Sequence, residues 1–365
     1  LGGLRAIVLI ETFQSVILIG GATLLTILSI SMLGEQGIHS MEELRAVLKP
    51  GQLDILQSGK DSILPWYAIL LGYPVLGIYY WCADQTIVQK VLGAKTMSDA
   101  QNGPLFAGFL KILPVFIMVF PGILAYALFS DIIKDPNDTL MVLISNVLPS
   151  GLIGLMTAAL LAALMSTISA ALNSVGTLVS LDILKRIRPS TPDKVLLRTG
   201  RITSLVVILL AISWSPWIGR FESIFDAISI ILSMLSPPVA SVFIMGILTS
   251  RGNDRVALWT MIFGLIAGSL VFCLDFDPIS GSRYITDGLG IPFLMQAWWL
   301  FVCCTVFYLV MSVFSEPRPL EEIRELIFSK DTLRGLGARI SSMKDPRLWA
   351  VLLLFVMIFL YIYFG

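Results

Sequence analysis

Long, nearly uncharged apolar runs recur along this chain, and they constrain its fold more than any other feature. A bilayer core takes about 20 mostly apolar residues per helix, and nine segments approach that pattern: 5–32, 63–82, 104–130, 151–181, 202–217, 222–249, 256–274, 291–314 and 347–364. Backbone groups inside hydrocarbon must satisfy their own hydrogen bonds, so each run is read as a helix. Of 365 residues, 56% are hydrophobic and 14% charged, against about 25% charged in an ordinary soluble domain. The 25 basic and 25 acidic residues cancel, which removes any general attraction to nucleic acid. A soluble secreted enzyme, a disordered scaffold and a nucleic-acid binder are all poor fits. The chain reads as an all-α, multi-pass membrane protein.

Cysteine and histidine usage narrows the chemistry further. Cys82, Cys273, Cys303 and Cys304 lie in or beside apolar runs and offer neither a disulfide framework nor a paired CxxC metal motif. The one histidine, His39, falls in a polar loop. No HExxH motif, intramembrane histidine or pair of carboxylates suggests a membrane-embedded enzyme. No signal peptide is visible. The chain opens on Leu1-Gly2-Gly3-Leu4-Arg5 beside an apolar run, and it reads as a fragment lacking its upstream helices.

Basic residues give an orientation. Segment 182–201 holds Lys185, Arg186, Arg188, Lys194, Arg198 and Arg201, and segment 315–347 holds another cluster from Arg318 to Arg347. With both in the cytoplasm, alternation places eighteen basic residues inside and six outside. The positive-inside bias then puts the N-terminus in the cytoplasm and the C-terminus outside, in a plasma or bacterial inner membrane. Loop 33–62 and segment 131–150 become external. The latter contains an amphipathic run, Thr139 to Val147, placed to lie over a vestibule. Residues 315–346 read as a cytoplasmic, partly helical linker before an isolated last helix.

Several spans carry breaks or polar groups. The second contains Pro65, Gly72 and Pro74 just before Tyr79-Tyr80-Trp81. Proline leaves an upstream carbonyl unpaired, which suits either a packing kink or an unwound segment lining a cavity. In the fourth span, Ser166, Ser169, Asn173 and Thr177 share one helical face, and so do Ala163, Ser166 and Thr167. Such stripes serve close helix packing, or they offer oxygen ligands to a hard cation. Glu11 in the first span and Lys111 in the third are ionisable groups at costly positions. Each fits a cavity-facing role or a solvated place near the membrane edge. The sixth span has Ser229, Ser233 and Ser236 before Pro237-Pro238, where a packing kink is the simpler expectation.

The run from Tyr79 to Lys95, YYWCADQTIVQKVLGAK, is similar to the signature segment of the sodium/solute symporter family. More narrowly it resembles the sodium/glucose cotransporter branch. Leu113-Pro114 with Pro121-Gly122, Ala163 to Ser169 leading to Leu172-Asn173-Ser174, Leu1 to Gln14 and Ser236 to Val242 extend the likeness. It covers at least residues 1–250.

The resemblance implies a five-plus-five inverted-repeat transporter core, with the first repeat mostly missing, plus peripheral helices. Residues 1–32 would be the last helix of the first repeat, 33–62 an external loop and 63–250 the second repeat. Residues 251–314 would be peripheral helices, 315–346 the cytoplasmic linker and 347–365 the C-terminal transmembrane helix. The implied activity is sodium-coupled symport of a small polar solute, foremost a sugar, by alternating access. Tyr80 would be the aromatic inner gate stacking on the sugar, with Trp81 beside it, and Lys111 would reach sugar hydroxyls. Ala163, Ser166 and Thr167 would bind sodium through one carbonyl and two hydroxyls; no other metal is implied. Glu11 takes the place of a family aspartate near the inner sodium exit.

Departures from the family pattern bear on the cargo. Gly77 and Ser229 stand where sugar transporters often carry a polar residue and a glutamine, which weakens the case for hexose in particular. Ala170 lacks the hydroxyl of a second sodium position, which favours one sodium per cycle. Inositol, a monocarboxylate or a sialic acid are alternative cargoes, and a membrane sensor module is a more distant alternative.

Overall fold

The computed structural model describes residues 3–54, 56, 64–218, 224–275, 283–323, 326–328 and 345–364. Most of the expected 315–346 linker lies outside these. Among the described residues the fold is helical throughout, and eight helices are long and apolar enough to cross a membrane. The protein is a multi-pass, all-α membrane protein. Its chain forms two compact units that interleave in sequence: Leu1–Leu53 with Phe106–Trp217, and Asp54–Leu105 with Ile218–Gly365.

The first unit contains α1 (Gly3–Glu35), α2 (Met41–Val47), α6 (Phe120–Phe129), α7 (Thr139–Val147), α8 (Ser150–Thr177) and α9 (Asp193–Ile218). Ala22 and Leu25 of α1, Ala125 and Phe129 of α6, Leu143 and Ile144 of α7 and Met156 of α8 form its core. The amphipathic run expected at Thr139 to Val147 is α7, and its apolar face packs into that core. Helix α2 starts at a capping box. The Ser40 hydroxyl accepts the Glu43 N–H, while the Glu43 carboxylate accepts the N–H groups of His39 (2.6 Å) and Ser40 (3.1 Å). These bonds satisfy donors that the first turn leaves open, and they hold the Glu43 carboxyl below its ordinary value, with the His39 N–H the largest cause. The underside of α2, Leu44 and Leu48, packs on Leu33 and Leu124.

The second unit contains α3 (Trp66–Ile78), α4 (Gln85–Leu92), α10 (Ile224–Leu248), α11 (Asp254–Asp275), α12 (Phe293–Val313), the short α13 (Leu320–Ile323) and α14 (Pro346–Tyr363). Ala68 of α3, Ile230 of α10 and Phe293 and Leu294 of α12 are its buried centre. Helix α5 (Met97–Leu110) runs across the boundary between the two stretches of sequence. Asp345 caps α14, accepting the Arg347 N–H at 3.0 Å.

The structure revises several expected spans. The run at 63–82 is not among the eight long helices. Its α-helix covers only 13 residues and passes into a π-helical turn at Tyr79–Ala83. The third span is interrupted by a turn at 111–112 and a π-helical stretch at Val115–Val119. Helix α9 begins at Asp193, nine residues before the expected start at 202, because Lys194, Arg198 and Arg201 lower the local hydropathy without breaking the helix. The Pro237-Pro238 pair does not interrupt α10, which continues to Leu248.

Candidate functional site

The break after α3 follows from local chemistry. Pro74 cannot donate a hydrogen bond within the helix, and Asp84 leaves helical geometry altogether (φ −67°, ψ 119°). The Asp84 N–H closes the π turn on the Tyr79 carbonyl at 2.9 Å. Its carboxylate then caps α4, accepting the Thr86 N–H (2.7 Å) and hydroxyl (2.5 Å). A π turn spends an extra residue per turn and re-aims the side chains it carries. Tyr80 and Trp81 lie on this turn, partly buried, in edge-to-face contact with centroids 5.4 Å apart at 88°.

Two glycines flank these aromatics and differ in what surrounds them. A Cβ on Gly72 would meet Leu294 of α12, with its Cβ at 2.7 Å and its carbonyl carbon at 2.8 Å. A Cβ on Gly77 would meet nothing within 4 Å. One turn of helix is therefore clamped, while the next opens on free space. In the same unit, Ser229, Ser233 and Ser236 of α10 are all buried and recur at i, i+4 and i+7 on one face. The Ser233 hydroxyl donates to the Ile230 carbonyl at 2.6 Å.

In the first unit, α8 is unbroken from Ser150 to Thr177. Its hydroxyls turn back on their own helix: Thr167 donates to the Ala163 carbonyl (3.1 Å), Ser169 to Met165 (2.7 Å), Ser174 to Ala170 (2.9 Å) and Thr177 to Asn173 (2.8 Å). A hydroxyl that donates in this way still has oxygen lone pairs available for a cation. Ala163 and Ser166 are partly exposed and Thr167 is exposed. Ala163 and Thr167 are thus already neighbours, and Ser166 lies on the same turn. Ala170 is buried at 7% exposure. Farther along, α8 meets α9 closely: a Cβ on Gly176 would sit 3.2 Å from the Gly200 carbonyl oxygen, and the Ser204 hydroxyl is shared between the Gly200 carbonyl of its own helix (3.0 Å) and the Leu172 carbonyl of α8 (3.2 Å).

Lys111 is exposed and sits in the turn that interrupts the third span, with its N–H bonded to the Ala107 carbonyl. It lies within the third span, as expected, between α5 and the π-helical stretch at Val115–Val119. Glu11 is partly exposed on α1, and its carbonyl accepts the Ser15 hydroxyl at 2.7 Å. Ala163, Ser166, Thr167, Lys111 and Glu11 thus belong to the first unit, and Gly77, Tyr80, Trp81 and Ser229 to the second. Among the described residues no three His, Cys, Asp or Glu side chains gather as a metal site. Sequence inspection passed over Asp275, which is 1% exposed at the end of α11. Its one visible signal was an acidic residue immediately after an apolar run.

A sequence model of the sodium:solute symporter family matches residues 1–264. The chain is similar to the rabbit (Oryctolagus cuniculus) sodium/myo-inositol cotransporter 2, 32% identical over 362 residues, covering 89% of this chain and 53% of that protein. It is also similar to the mouse (Mus musculus) sodium/glucose cotransporter 4, 31% identical over 360 residues with the same two coverages. The sheep (Ovis aries) sodium/glucose cotransporter 1 is 30% identical over 390 residues, covering 95% of this chain and 59% of that protein. The chain spans about half the length of the curated relatives it matches.

Proposed function

This chain belongs to the sodium:solute symporter family, and from that premise we propose that the protein it represents carries out sodium-coupled symport of a sugar-like solute by alternating access. The match over residues 1–264 carries this reading, because it includes both the aromatic π turn and the hydroxyl-bearing turn of α8. The protein is a carrier and not an enzyme. Its five-plus-five core is oriented with the N-terminus of this chain in the cytoplasm and its C-terminus outside.

Sodium is a co-substrate held by the Ala163 carbonyl and the Ser166 and Thr167 hydroxyls. Neutral oxygens suit a monovalent cation that must be released in every cycle. The Thr167 bond to Ala163 supports this assignment, since it fixes two of the three oxygens on one turn. Tyr80 covers the solute with its ring, and Trp81 braces that ring edge-on. Lys111 donates to solute hydroxyls, and Glu11 lies on the route by which sodium leaves. Gly77 brings no side chain and Ser229 a short hydroxyl to the solute site.

Coupling requires sodium to favour one state of the carrier over another, because an ion that binds all states equally moves nothing else. One sodium ion falling through about 100 mV supplies about 2.3 kcal/mol, and a tenfold sodium gradient adds about 1.4 kcal/mol. Together they would sustain a solute gradient of roughly several hundredfold. One ion per cycle is expected, since Ala170 has no hydroxyl.

A second cargo, myo-inositol, is favoured by the inositol cotransporters among the relatives. The deciding experiment is uptake of labelled D-glucose and myo-inositol by the full-length protein in proteoliposomes. Uptake that needs sodium and collapses in choline buffer is expected. Equal uptake of both solutes in choline buffer would overturn symport.

A further inference from the structure

The corner joining α11 to α12 holds a buried polar network that the transport reading does not use. Asp275, the last residue of α11, is 1% exposed. Its Oδ1 accepts the N–H groups of Ile285 (2.8 Å) and Thr286 (2.7 Å). Its Oδ2 accepts the Thr286 hydroxyl (2.7 Å) and the Gln296 side-chain amide (3.4 Å). The Gln296 amide, on the first turn of α12, also donates to the Thr286 hydroxyl oxygen and the Ile291 carbonyl, both at 3.0 Å. Burying a carboxylate is costly unless its oxygens are well satisfied. Here three donors from the connection and one from α12 converge on it, which ties the end of α11 to the start of α12.

What this corner holds is the start of α12. Two residues before Gln296, Leu294 is fully buried against Gly72 so closely that no Cβ fits between them. Phe293 beside it packs with Ala68 and Ile230. Ala68, Gly72 and Val75 lie at i, i+4 and i+7 and are all buried, so α3 presents one face to this contact along most of its length. The next element in the chain is the π turn with Tyr80.

We propose that Asp275, Thr286 and Gln296 are positioning residues: they fix the first turn of α12 and, through Leu294 seated on Gly72, hold α3 still while the turn bearing Tyr80 reshapes. The part of this concerning Tyr80 rests on the transport reading. The clamp itself does not.

Hydrogen–deuterium exchange of the full-length protein in nanodiscs tests the clamp without any solute. Asp275→Asn keeps the shape of the side chain and weakens it as an acceptor, Thr286→Val removes a donor at constant volume, and Thr286→Ser restores that donor. Removing one such bond is expected to speed exchange about threefold or more at both 285–296 and 66–78, with Thr286→Ser behaving as wild type. Faster exchange confined to 285–296 would overturn the proposal and leave only a local loop staple. In sodium-driven uptake of labelled D-glucose and myo-inositol, Thr286→Val should raise the apparent KM for solute and leave sodium half-saturation unchanged. A fall in Vmax alone, matching a fall in protein amount, would also overturn it. Absence of sodium-dependent uptake by the wild type would sink the transport reading, and the exchange result would still decide the clamp.

Discussion

Helix α8 runs 28 residues and passes into a π-helical stretch only at Leu178–Lys185, beyond its Ala163–Thr167 turn, whereas the span that carries Tyr80 leaves α-helical geometry after Ile78, at the aromatics themselves. Both place polar groups at membrane depth, by opposite means. On α8 the backbone stays satisfied and the hydroxyls fold back on carbonyls one turn earlier, so oxygen atoms line the surface of an intact rod. In the broken span the backbone is re-routed, with a π turn closed by the Asp84 N–H and a fresh helix started by the Asp84 carboxylate. An intact rod offers ligand atoms whose spacing is fixed by helical geometry, as a small spherical ion requires. A re-routed backbone offers a place where large rings can change direction, as a covering group requires. The difference teaches that an α-helical turn and a re-routed one divide the proposed ion and solute tasks.

The strongest way to break that comparison is to remove the ring. Burying a large apolar side chain is worth about 1.5–3 kcal/mol, so Tyr80→Ala should lower solute uptake about tenfold to a hundredfold at saturating sodium. Uptake kinetics in proteoliposomes check this, and wild-type kinetics would remove Tyr80 from the site. Next comes the rod. Hydrogen bonds and similar contacts to charged groups are worth about 1.5–3 kcal/mol, so Ser166→Ala should raise the sodium concentration for half-maximal uptake about tenfold while leaving the fold intact. Unchanged sodium dependence would dissociate Ser166 from the ion.

The two glycines sharpen the contrast within the broken span. Gly72→Ala should destabilise the protein by about 1–3 kcal/mol through overpacking against Leu294. Gly77→Ala should be neutral or stabilising by up to about 1 kcal/mol, since alanine is the better helix former and the space beside it is open. Thermal unfolding of the purified variants distinguishes them. The smallest effect concerns α2. The carboxyl of Glu43 is held below its ordinary value, so its contribution is present above the usual carboxylate range and is lost as pH falls through the depressed value. Amide protection at 41–47 should therefore differ between wild type and Glu43→Gln near neutral pH, and the two should converge in acid.

Much of this architecture is visible in the one-dimensional pattern because hydrocarbon thickness imposes a length and an apolar composition on each span. The amphipathic stretch at 139–147 was equally plain, since alternation of apolar and polar residues at helical spacing predicts a helix with one buried face. The start of α9 was not, because charged residues on its first turns carry no signal that the helix has already begun. The π turns were invisible too. A proline two turns upstream announces a disturbance, but the shift by one residue depends on how Asp84 caps the following helix. Tyr80, Trp81 and the Ser166 turn were picked out by their resemblance to a known family, and helical spacing already joined Ala163, Ser166 and Thr167. The Asp275 network escaped because its partners lie ten to twenty-one residues away and meet only when the corner closes.

The contact between α8 and α9 has a mechanical implication. Where Gly176 faces Gly200, neither strand of chain projects a knob for the other to grip, and the Ser204 hydroxyl supplies one polar tether nearby. Smooth surfaces pinned in this way resist being pulled apart yet oppose swivelling only weakly. With Leu205, Leu209 and Ile212 turned outward, α9 keeps its bulky apolar side chains away from this seam, so the closeness of the two helices rests on the absence of side chains at Gly176 and Gly200.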